Sequence, residues 1–246
     1  MRQVPQYLLI GSGRMSKHMN FYLSNKIKSN ILNWSRNKNN SEDLLKKINL
    51  STHILILISD DQIIDFLNKH KNYLKDKICI HFSGCIYTKL AFGAHPLNTF
   101  SDKIYDINKY EKIPFILDAN SPEFSDLFPM LNNPNFKLDP DKKSLYHAYC
   151  VMANNFTTLL WENSFKKFSE KLGIPKQALL NILEQTCDNL LDANKHNNSN
   201  ANSKYNSVLT GPLARGDHKT INKNIQALED SQDPYADIYK AFKNLI

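Results

Sequence analysis

Two of the seven glycines in this sequence stand close together near its start, just after an apolar run. The segment Gly-Ser-Gly-Arg-Met-Ser at positions 11–16 follows the apolar residues 7–10 and precedes residues with helical spacing. In that context the first glycine permits a tight turn, and the second lets a diphosphate approach the backbone N–H groups of the helix start. The residues expected to bind a dinucleotide diphosphate are Gly11, Ser12, Gly13, Arg14 and Met15. Ser16 keeps a small residue where such motifs place a third glycine.

The end of the second predicted strand indicates which dinucleotide would bind. A site for NAD normally carries Asp or Glu about 20 residues after the glycine turn, where the carboxylate binds the ribose 2′-hydroxyl. This chain has Ser35 and Arg36 there, followed by Lys38. A hydroxyl and a guanidinium bind a 2′-phosphate, which a carboxylate would repel. The sequence therefore favours NADP(H), with a solvated basic loop as the alternative interpretation.

Polar residues also follow the third and fourth predicted strands. Ser59 and Asp60 end one of them, and Ser83 follows the other. The carboxyl ends of parallel strands form the crevice in which dinucleotides lie, so these residues are candidates for contacts with ribose or nicotinamide. The alternative for Asp60, and for Asp61 beside it, is that the side chain caps the next helix.

Two further segments carry groups suited to acid–base chemistry and substrate binding. His95, Asn98 and Thr99 follow a short predicted strand, near the same end of the sheet. On a long predicted helix, His147 and Asn155 are spaced at i and i+8 with Val151 between them, and Asn154 lies close to the same line. A histidine titrates near neutral pH and can protonate the oxygen of a carbonyl during reduction. Lys143 is the rival acid, and simple packing is the alternative for both histidines.

The segment 210–217 has two glycines and precedes a predicted helix that Asp217 can cap. Its Arg215 can bind a substrate carboxylate through both guanidinium nitrogens. The alternatives are an ion pair with Asp217 and a contact in a dimer.

The elements that would hold these residues change in type along the chain. Up to residue 139, short apolar strands alternate with helices, which predicts an α/β fold with a doubly wound, mostly parallel sheet. From residue 140 only helical patterns follow, beginning with a long helix over 145–172 that ends at Gly173. We therefore predict a nucleotide-binding domain at 1–139 and an all-helical domain at 140–246. A polar, Asn-rich segment at 194–206 is expected to be a loop.

Composition excludes several classes of protein. No apolar run approaches the roughly 18 residues of a membrane span, and the first residues lack the features of a signal peptide, so a cytoplasmic location is expected. The net charge is +7, but the lysines are spread along the chain, which argues against nucleic-acid binding and suits a small anionic partner. The four cysteines have no metal-ligand spacing, so no metal site is expected.

Taken together, these motifs resemble a family of Rossmann-like oxidoreductases with an all-helical C-terminal domain. The family includes the ketopantoate, pyrroline-5-carboxylate and prephenate oxidoreductases. The motifs that carry the resemblance are Gly11-x-Gly13-x-x-Ser16, Ser59-Asp-Asp61, His81-x-Ser-Gly84, Gly93-Ala-His-Pro-Leu97 with Thr99-Phe100, His147 with Asn155, and Leu209-Thr-Gly-Pro-x-x-Arg-Gly-Asp217.

The resemblance is closest to the alternative ketopantoate reductases. It implies an NADPH-dependent reduction of 2-dehydropantoate to pantoate in the cleft between the domains. In that family a catalytic Lys and two Asn lie at successive turns of the first helix of the C-terminal domain. When the second Asn is aligned with Asn155, Val151 takes the place of the first Asn and His147 takes the place of the Lys, so the chain departs from that pattern. The alternatives are another carboxylated substrate, such as an imino acid, and a non-catalytic NADP(H) sensor. The small helical domain also predicts a homodimer.

Overall fold

The computed structural model describes residues 4–27, 31–197 and 208–245. Its chain divides into two compact units, Met1–Trp161 and Glu162–Ile246. The last strand ends at Leu138, close to the predicted boundary at 139, but the division by packing lies further along the chain. The change of secondary structure and the division into compact units are therefore separate features of this fold.

The first unit is built on a seven-stranded sheet in the order β2-β1-β3-β4-β5-β6-β7. All neighbouring strands are parallel except β5 and β6, which are antiparallel. In the sheet, β2 lies on one side of β1 and β3 lies on the other. The carboxyl ends of these strands are therefore the topological switch point. The strands are β1 (Tyr7–Ile10), β2 (Leu32–Trp34), β3 (His53–Ile56), β4 (Ile78–His81), β5 (Phe92–Pro96), β6 (Phe115–Asp118) and β7 (Asn135–Leu138).

Helices cover both faces of this sheet, because β1, β3 and β4 are apolar on both sides. One face packs against α1 and the segments around α4 and α5, with Tyr22 and Phe128 in its core. The other packs against α2 and α3, through residues such as Leu44 and Ile63. These helices are α1 (Arg14–Lys26), α2 (Ser41–Leu50), α3 (Asp60–Leu74), α4 (Ile107–Glu111) and α5 (Phe124–Leu127).

A long helical run follows the sheet, after a 3₁₀ turn at Pro140–Lys142. It consists of α6 (Lys143–Val151), a π-helical turn (Met152–Phe156) and α7 (Thr157–Leu172), which continues into the second unit. A π turn adds a residue to the helix, so residues beyond it are rotated relative to the α-helical pattern. The predicted continuous α-helix over 145–172 is therefore interrupted in the middle.

The second unit contains helices only, among the residues that the structure describes. Its central polar contact is Asp233, whose carboxylate binds Lys167 and Lys171, and these bonds lower the pKa of Asp233 to about 2. Besides the end of α7 and a 3₁₀ turn at Lys176–Leu179, its elements are α8 (Leu180–Asn197), α9 (Gly211–Arg215), α10 (His218–Asp230) and α11 (Tyr235–Lys243).

The predicted fold class is confirmed: the sheet is doubly wound and mostly parallel, and only helices follow it in the described residues. Three local predictions were wrong. Residues 87–91, for which the sequence predicts a short helix, are irregular, since a five-residue segment gains little from helix formation alone. β7 was missed because three of its four residues are exposed at the sheet edge and show no apolar alternation. The helix α8 continues into the predicted loop at 194–206, of which residues 198–206 lie outside the described residues.

Candidate active site

The turn between β1 and α1 requires glycine at its first position. Gly11 has a φ of +130°, and a Cβ there would lie 2.2 Å from the carbonyl oxygen of Leu57. Its N–H donates to the carbonyl of Trp34, at 2.9 Å, and its own carbonyl accepts a bond from the buried Ser16 hydroxyl, also at 2.9 Å. The turn is thus fixed to both neighbouring strands and to α1. Ser16 fills the place of a third glycine by bonding to the turn.

The start of α1 is left open for an anion. Gly13 is its N-cap residue, and a Cβ added there would meet no atom within 4 Å. No side chain caps the helix, and its first turn has no acidic residue, so its backbone N–H groups attract negative charge. The Arg14 guanidinium is directed elsewhere, 3.4 Å from the carbonyl of Phe100 and 3.9 Å from the carboxylate of Asp102.

A groove of about 660 Å³ runs from this turn along the ends of β2 and β3. It lies at the topological switch point, where open α/β sheets bind their ligands. Polar groups from the end of β2 and apolar side chains from α2 and α3 both line it. Of the predicted cofactor residues, those that line the groove are Gly11, Ser12, Gly13, Ser35, Arg36 and Ser59.

Asp60 does not cap α3, contrary to one interpretation of the sequence. Ser59 is the N-cap residue, and Asp60 is the first residue of the helix. Its carboxylate accepts hydrogen bonds from the hydroxyl of Ser83, at 2.7 Å, and from the thiol of Cys85, at 3.2 Å. The Ser83 oxygen in turn accepts the N–H groups of Cys85 and Ile86. Both predicted contact residues therefore hold the loop after β4 against the start of α3.

A second group of polar residues lies at the end of β4 and along β5. His81 pairs with Gly93 across these strands, and β5 continues past the end of β4 to His95. Because side chains alternate along a strand, His95 is on the same face as position 93. The opposite face holds Ala94, which packs in the core with Ile80.

The two histidines of these strands are held in their neutral form. His81 is fully buried, and neither of its ring nitrogens has a partner among the described residues. Its pKa is lowered to about 4 by burial and, secondarily, by the charge of Lys143. The pKa of His95 is also lowered to about 4, first by burial and then by the charges of His147 and Lys143. A neutral imidazole can donate one hydrogen bond and accept another.

Helix α6 brings three polar side chains to these strands. Tyr146 and His95 share a hydrogen bond of 2.7 Å between Oη and Nδ1. The ring of His147 lies 6.1 Å from the ring of His95, and its Cδ2 atom is 2.6 Å from where a Cβ of Gly84 would be. The third side chain, Lys143, is buried and ion-paired with Asp118 at 2.6 Å. The structure thus joins His95, His147 and Lys143, three of the predicted chemical groups. We call His95, Lys143, Tyr146 and His147, together with Asp118, the histidine cluster.

The predicted alignment of Asn155 with His147 is altered by the π turn. Asn154 and Asn155 both lie within it, and both are exposed. Since a π turn adds a residue between α6 and α7, the spacing i, i+4, i+8 no longer describes one face of the helix. The contact between their side chains is long, 3.4 Å from Nδ2 of Asn154 to Oδ1 of Asn155.

The other predicted substrate residues are not part of the histidine cluster. Asn98 and Thr99 line a separate groove of about 460 Å³, together with Tyr105 and Lys109. Asn98 donates to the carbonyl of Thr99, at 2.9 Å, so its amide stabilises the loop itself. Arg215 is the last residue of α9, in the second unit. Its role in substrate binding stays a prediction.

Sequence reasoning missed Tyr146 and Asp118. Tyr146 is three residues after Lys143, so its place on the same face of the helix followed from helical spacing. Asp118 ends a buried strand beside Gly93 of β5, and a carboxylate directly after an apolar run was the available signal. Over the described ranges, no group of three or more His, Cys, Asp or Glu side chains could hold a metal ion. Within the same ranges, no helix is both long and apolar enough to cross a membrane.

Comparisons with known proteins agree with this architecture. Residues 113–246, more than half of the chain, match the model of a domain of unknown function, DUF2520. A search of the curated proteins finds no match.

Solved structures of the same fold cover nearly the whole chain. A protein of Bacteroides fragilis described as an NADP oxidoreductase has a TM-score of 0.72 and 18% identity, over 98% of this chain and 97% of that chain. A protein of Thermotoga maritima has a TM-score of 0.67 and 20% identity, over 97% and 96%. The pyrroline carboxylate reductase of Plasmodium falciparum, solved with NADP bound, has a TM-score of 0.56 and 15% identity, over 97% and 98%. At these identities the likeness shows the fold.

Proposed function

This chain belongs to the DUF2520 family, and from its glycine turn and its histidine cluster we propose that it is an NADP(H)-dependent oxidoreductase of small carbonyl compounds. The observation that carries this proposal is the groove of about 660 Å³ at the switch point of the sheet. Its lining includes both the uncapped helix start at Gly13 and the residue Arg36, which carries a guanidinium. NADP(H) carries two anionic groups, a diphosphate and a phosphate on the 2′-oxygen of its adenosine ribose.

The residues of the groove fit each part of this cofactor. Gly13 leaves open space for a diphosphate, and the helix dipole attracts its charge. Ser35 and Arg36 supply a hydroxyl and a cation for a 2′-phosphate. Between them, Trp34 and Phe66 offer aromatic surfaces to the adenine, and the Trp34 indole is held by the carbonyl of Asn40 at 3.0 Å. When bound, NADPH supplies the hydride for reduction.

The histidine cluster supplies the proton and the polar contacts for the substrate. As a carbonyl carbon is reduced, its oxygen gains negative charge and needs a proton. We assign the proton to an imidazole N–H of His147, which lies at the Gly84 turn. His95 is neutral, since burial lowers its pKa to about 4, so it stabilises the oxygen by hydrogen bonding. Cation formation on His95 would be unfavourable beside Lys143 and His147.

For the substrate we propose 2-dehydropantoate, reduced at its C2 ketone to pantoate. This assignment rests on the motif resemblance to the alternative ketopantoate reductases, and the chain departs from the catalytic pattern of that family in having His147 at the lysine position. Asn98, Thr99, Asn154 and Arg215 are the candidates for its carboxylate and hydroxyl. A cytoplasmic location and the absence of nucleic-acid partners stay part of this proposal.

A steady-state assay of the purified protein tests both levels of the proposal. We expect NADPH oxidation with 2-dehydropantoate, at a kcat/KM at least ten times that with pyruvate, 2-oxoglutarate or a cyclic imine. Turnover with another of these compounds would retain the oxidoreductase and replace its substrate. Tight NADPH binding without turnover on the whole panel would instead indicate a nucleotide-binding protein without catalysis.

We further propose that the protein is a homodimer. Five large apolar side chains are more than half exposed along the helical run from α6 to α7, an unusual patch for a monomer. They are Leu145, Tyr149, Met152, Phe156 and Leu159. A second copy is the occupant we infer, since such patches in soluble proteins commonly pair by two-fold symmetry. Light scattering is expected to give twice the mass of 28.4 kDa, and Phe156→Glu to give the monomer mass.

A further inference from the structure

A buried ion pair joins the first residue of α6 to the end of β6. The ammonium of Lys143 lies 2.6 Å from Oδ1 of Asp118, and the two side chains are only 5% and 3% exposed. The other carboxylate oxygen, Oδ2, accepts the backbone N–H of Gly93 at 2.8 Å. Both oxygens of Asp118 are therefore occupied, one by a charge and one by the sheet. A pair bonded in this way has a single geometry.

Glycine at position 93 is what lets the pair approach the sheet. A Cβ there would lie 2.6 Å from Oδ2 of Asp118 and 2.6 Å from Nζ of Lys143. Any larger residue would push the two groups apart or away from β5. The ion pair is thus packed directly on bare backbone, on the strand that also carries His95.

Helical spacing relates this pair to the rest of the cluster. Tyr146 and His147 are three and four residues after Lys143, so all three side chains lie on one face of α6. From that face, Tyr146 bonds to His95 at 2.7 Å, and His147 reaches the Gly84 turn. Fixing Lys143 on the sheet therefore fixes where the other two side chains meet β5 and the loop after β4.

We propose, on the basis of the function proposed above, that Asp118 and Lys143 are positioning residues that hold α6 so that Tyr146 and His147 face the substrate. Lys143 is then not the proton donor. Its ammonium is bonded to a buried carboxylate and has almost no exposed surface, whereas His147 is only partly buried. Misplacement of His147 by about 1 Å is expected to reduce the rate about 100-fold.

The test compares Asp118→Asn, Lys143→Met and the double variant. Each single variant leaves one polar partner unmatched, whereas the double variant replaces the pair by neutral groups of similar size, and its asparagine can still accept the N–H of Gly93. The exposed pair Asp139–Lys142, one turn away at 3.4 Å, provides the control as Asp139→Asn with Lys142→Met. The measurements are kcat, the Kd for NADPH, and deuterium uptake of the peptide 143–151.

We expect each single variant to lose about 100-fold in kcat, with faster deuterium uptake in 143–151 and an NADPH Kd within about twofold of wild type. The double variant should recover kcat to within about tenfold of wild type, and the control should behave as wild type.

Two results would overturn the proposal. One is a double variant that is as inactive as Lys143→Met while its 143–151 peptide exchanges as in wild type, because Lys143 would then be the proton donor. The other is an unchanged exchange rate in Asp118→Asn. If the single variants fail to fold, the double variant and its exchange rate still decide between these roles. Wild-type protein without NADPH binding would instead contradict the proposed function, and deuterium uptake reads the position of α6 without any ligand.

Discussion

The glycine turn after β1 and the histidine cluster at β5 use different kinds of groups. The turn offers backbone N–H groups and open space, and the groove beside it is lined by exposed residues such as Arg36. The cluster consists of side chains that bind one another, and two of them, Lys143 and Asp118, are almost completely buried. The glycine turn and its groove form a surface that is open to a ligand. The histidine cluster is a network of side chains that depend on each other.

This difference has a consequence for how the two regions tolerate change. In the turn, a substitution acts through the space it takes or the single charge it removes. In the cluster, a substitution also leaves a partner unsatisfied in a medium of low polarity, where that costs most.

The largest expected effect is that of His147→Ala on the rate. Loss of a general acid typically reduces kcat by about 10²–10⁴, and the groove around the glycine turn should be unaffected. We expect kcat to fall about 1,000-fold with an unchanged Kd for NADPH. The exposed His218, in the second unit, gives the control variant His218→Ala. Full activity of His147→Ala would remove it from the mechanism.

The two glycines of the turn should respond in opposite ways to alanine. Gly11→Ala places a methyl group against the Leu57 carbonyl and strains a φ of +130°, so it should lower the free energy of unfolding by about 3 kcal/mol. Gly13→Ala meets no protein atom within 4 Å and should preserve stability while weakening NADPH binding. Chemical denaturation and fluorescence titration measure the two effects. Equal NADPH affinity in Gly13→Ala and wild type would argue against a diphosphate at this turn.

Acid should destabilise the fold through the histidines of β4 and β5. The pKa of His81 is about 4 in the folded protein and near 6.5 when unfolded, so the unfolded state binds more protons between these values. The contribution of His81 to the free energy of unfolding is therefore fully present above pH 6.5. It falls by about 2–3 kcal/mol as the pH drops toward 4. Urea denaturation at several pH values should show this slope, and His81→Leu should reduce it, leaving the part that comes from His95, whose pKa is also lowered to about 4. Asp233 affects the pH dependence of the free energy of unfolding only at lower pH, because its pKa is lowered from 3.8 to about 2 in the folded protein.

The smallest expected effect concerns the choice of nucleotide. Arg36→Ala removes a charge-assisted hydrogen bond to a 2′-phosphate, worth about 2 kcal/mol. The Kd for NADPH should rise about 30-fold while that for NADH changes little. Lys46→Ala is the control, since Lys46 is an exposed cation paired with Glu42 on α2. An equal rise in the Kd for NADPH and the Kd for NADH would mean that Arg36 does not bind the 2′-phosphate.

Much of the fold was predictable because its signals are local. The alternation of apolar strands and helices up to residue 139 specified the doubly wound sheet, and Gly11 and Gly13 marked the tight turn after β1. Edge strand β7 escaped because a strand with one neighbour and an exposed surface has little need of apolar residues. The π turn at 152–156 escaped because apolar periodicity assumes one helical geometry throughout.

The candidate site was predictable in part for the same reason. His95 and His147 were chosen by residue type and position, and the structure brings them together. Tyr146 and Asp118 stand in no motif, and their local signals, helical spacing and the end of an apolar strand, are shared by many residues. Asn98 and Thr99 follow His95 closely in sequence, yet they line a different groove because the chain turns away after β5.

The sequence by itself determined the order of elements, the glycine turn and the residue types available for chemistry, because each depends on backbone sterics and on the period of apolar residues along the chain. Only the tertiary structure decided that Gly93, Asp118 and Lys143 meet. Their contact joins parts of the chain 25 residues apart in each case, and it exists because β6 lies beside β5 and α6 packs over both. Such pairing depends on the register of the sheet and the register of the helix together, which no short segment encodes.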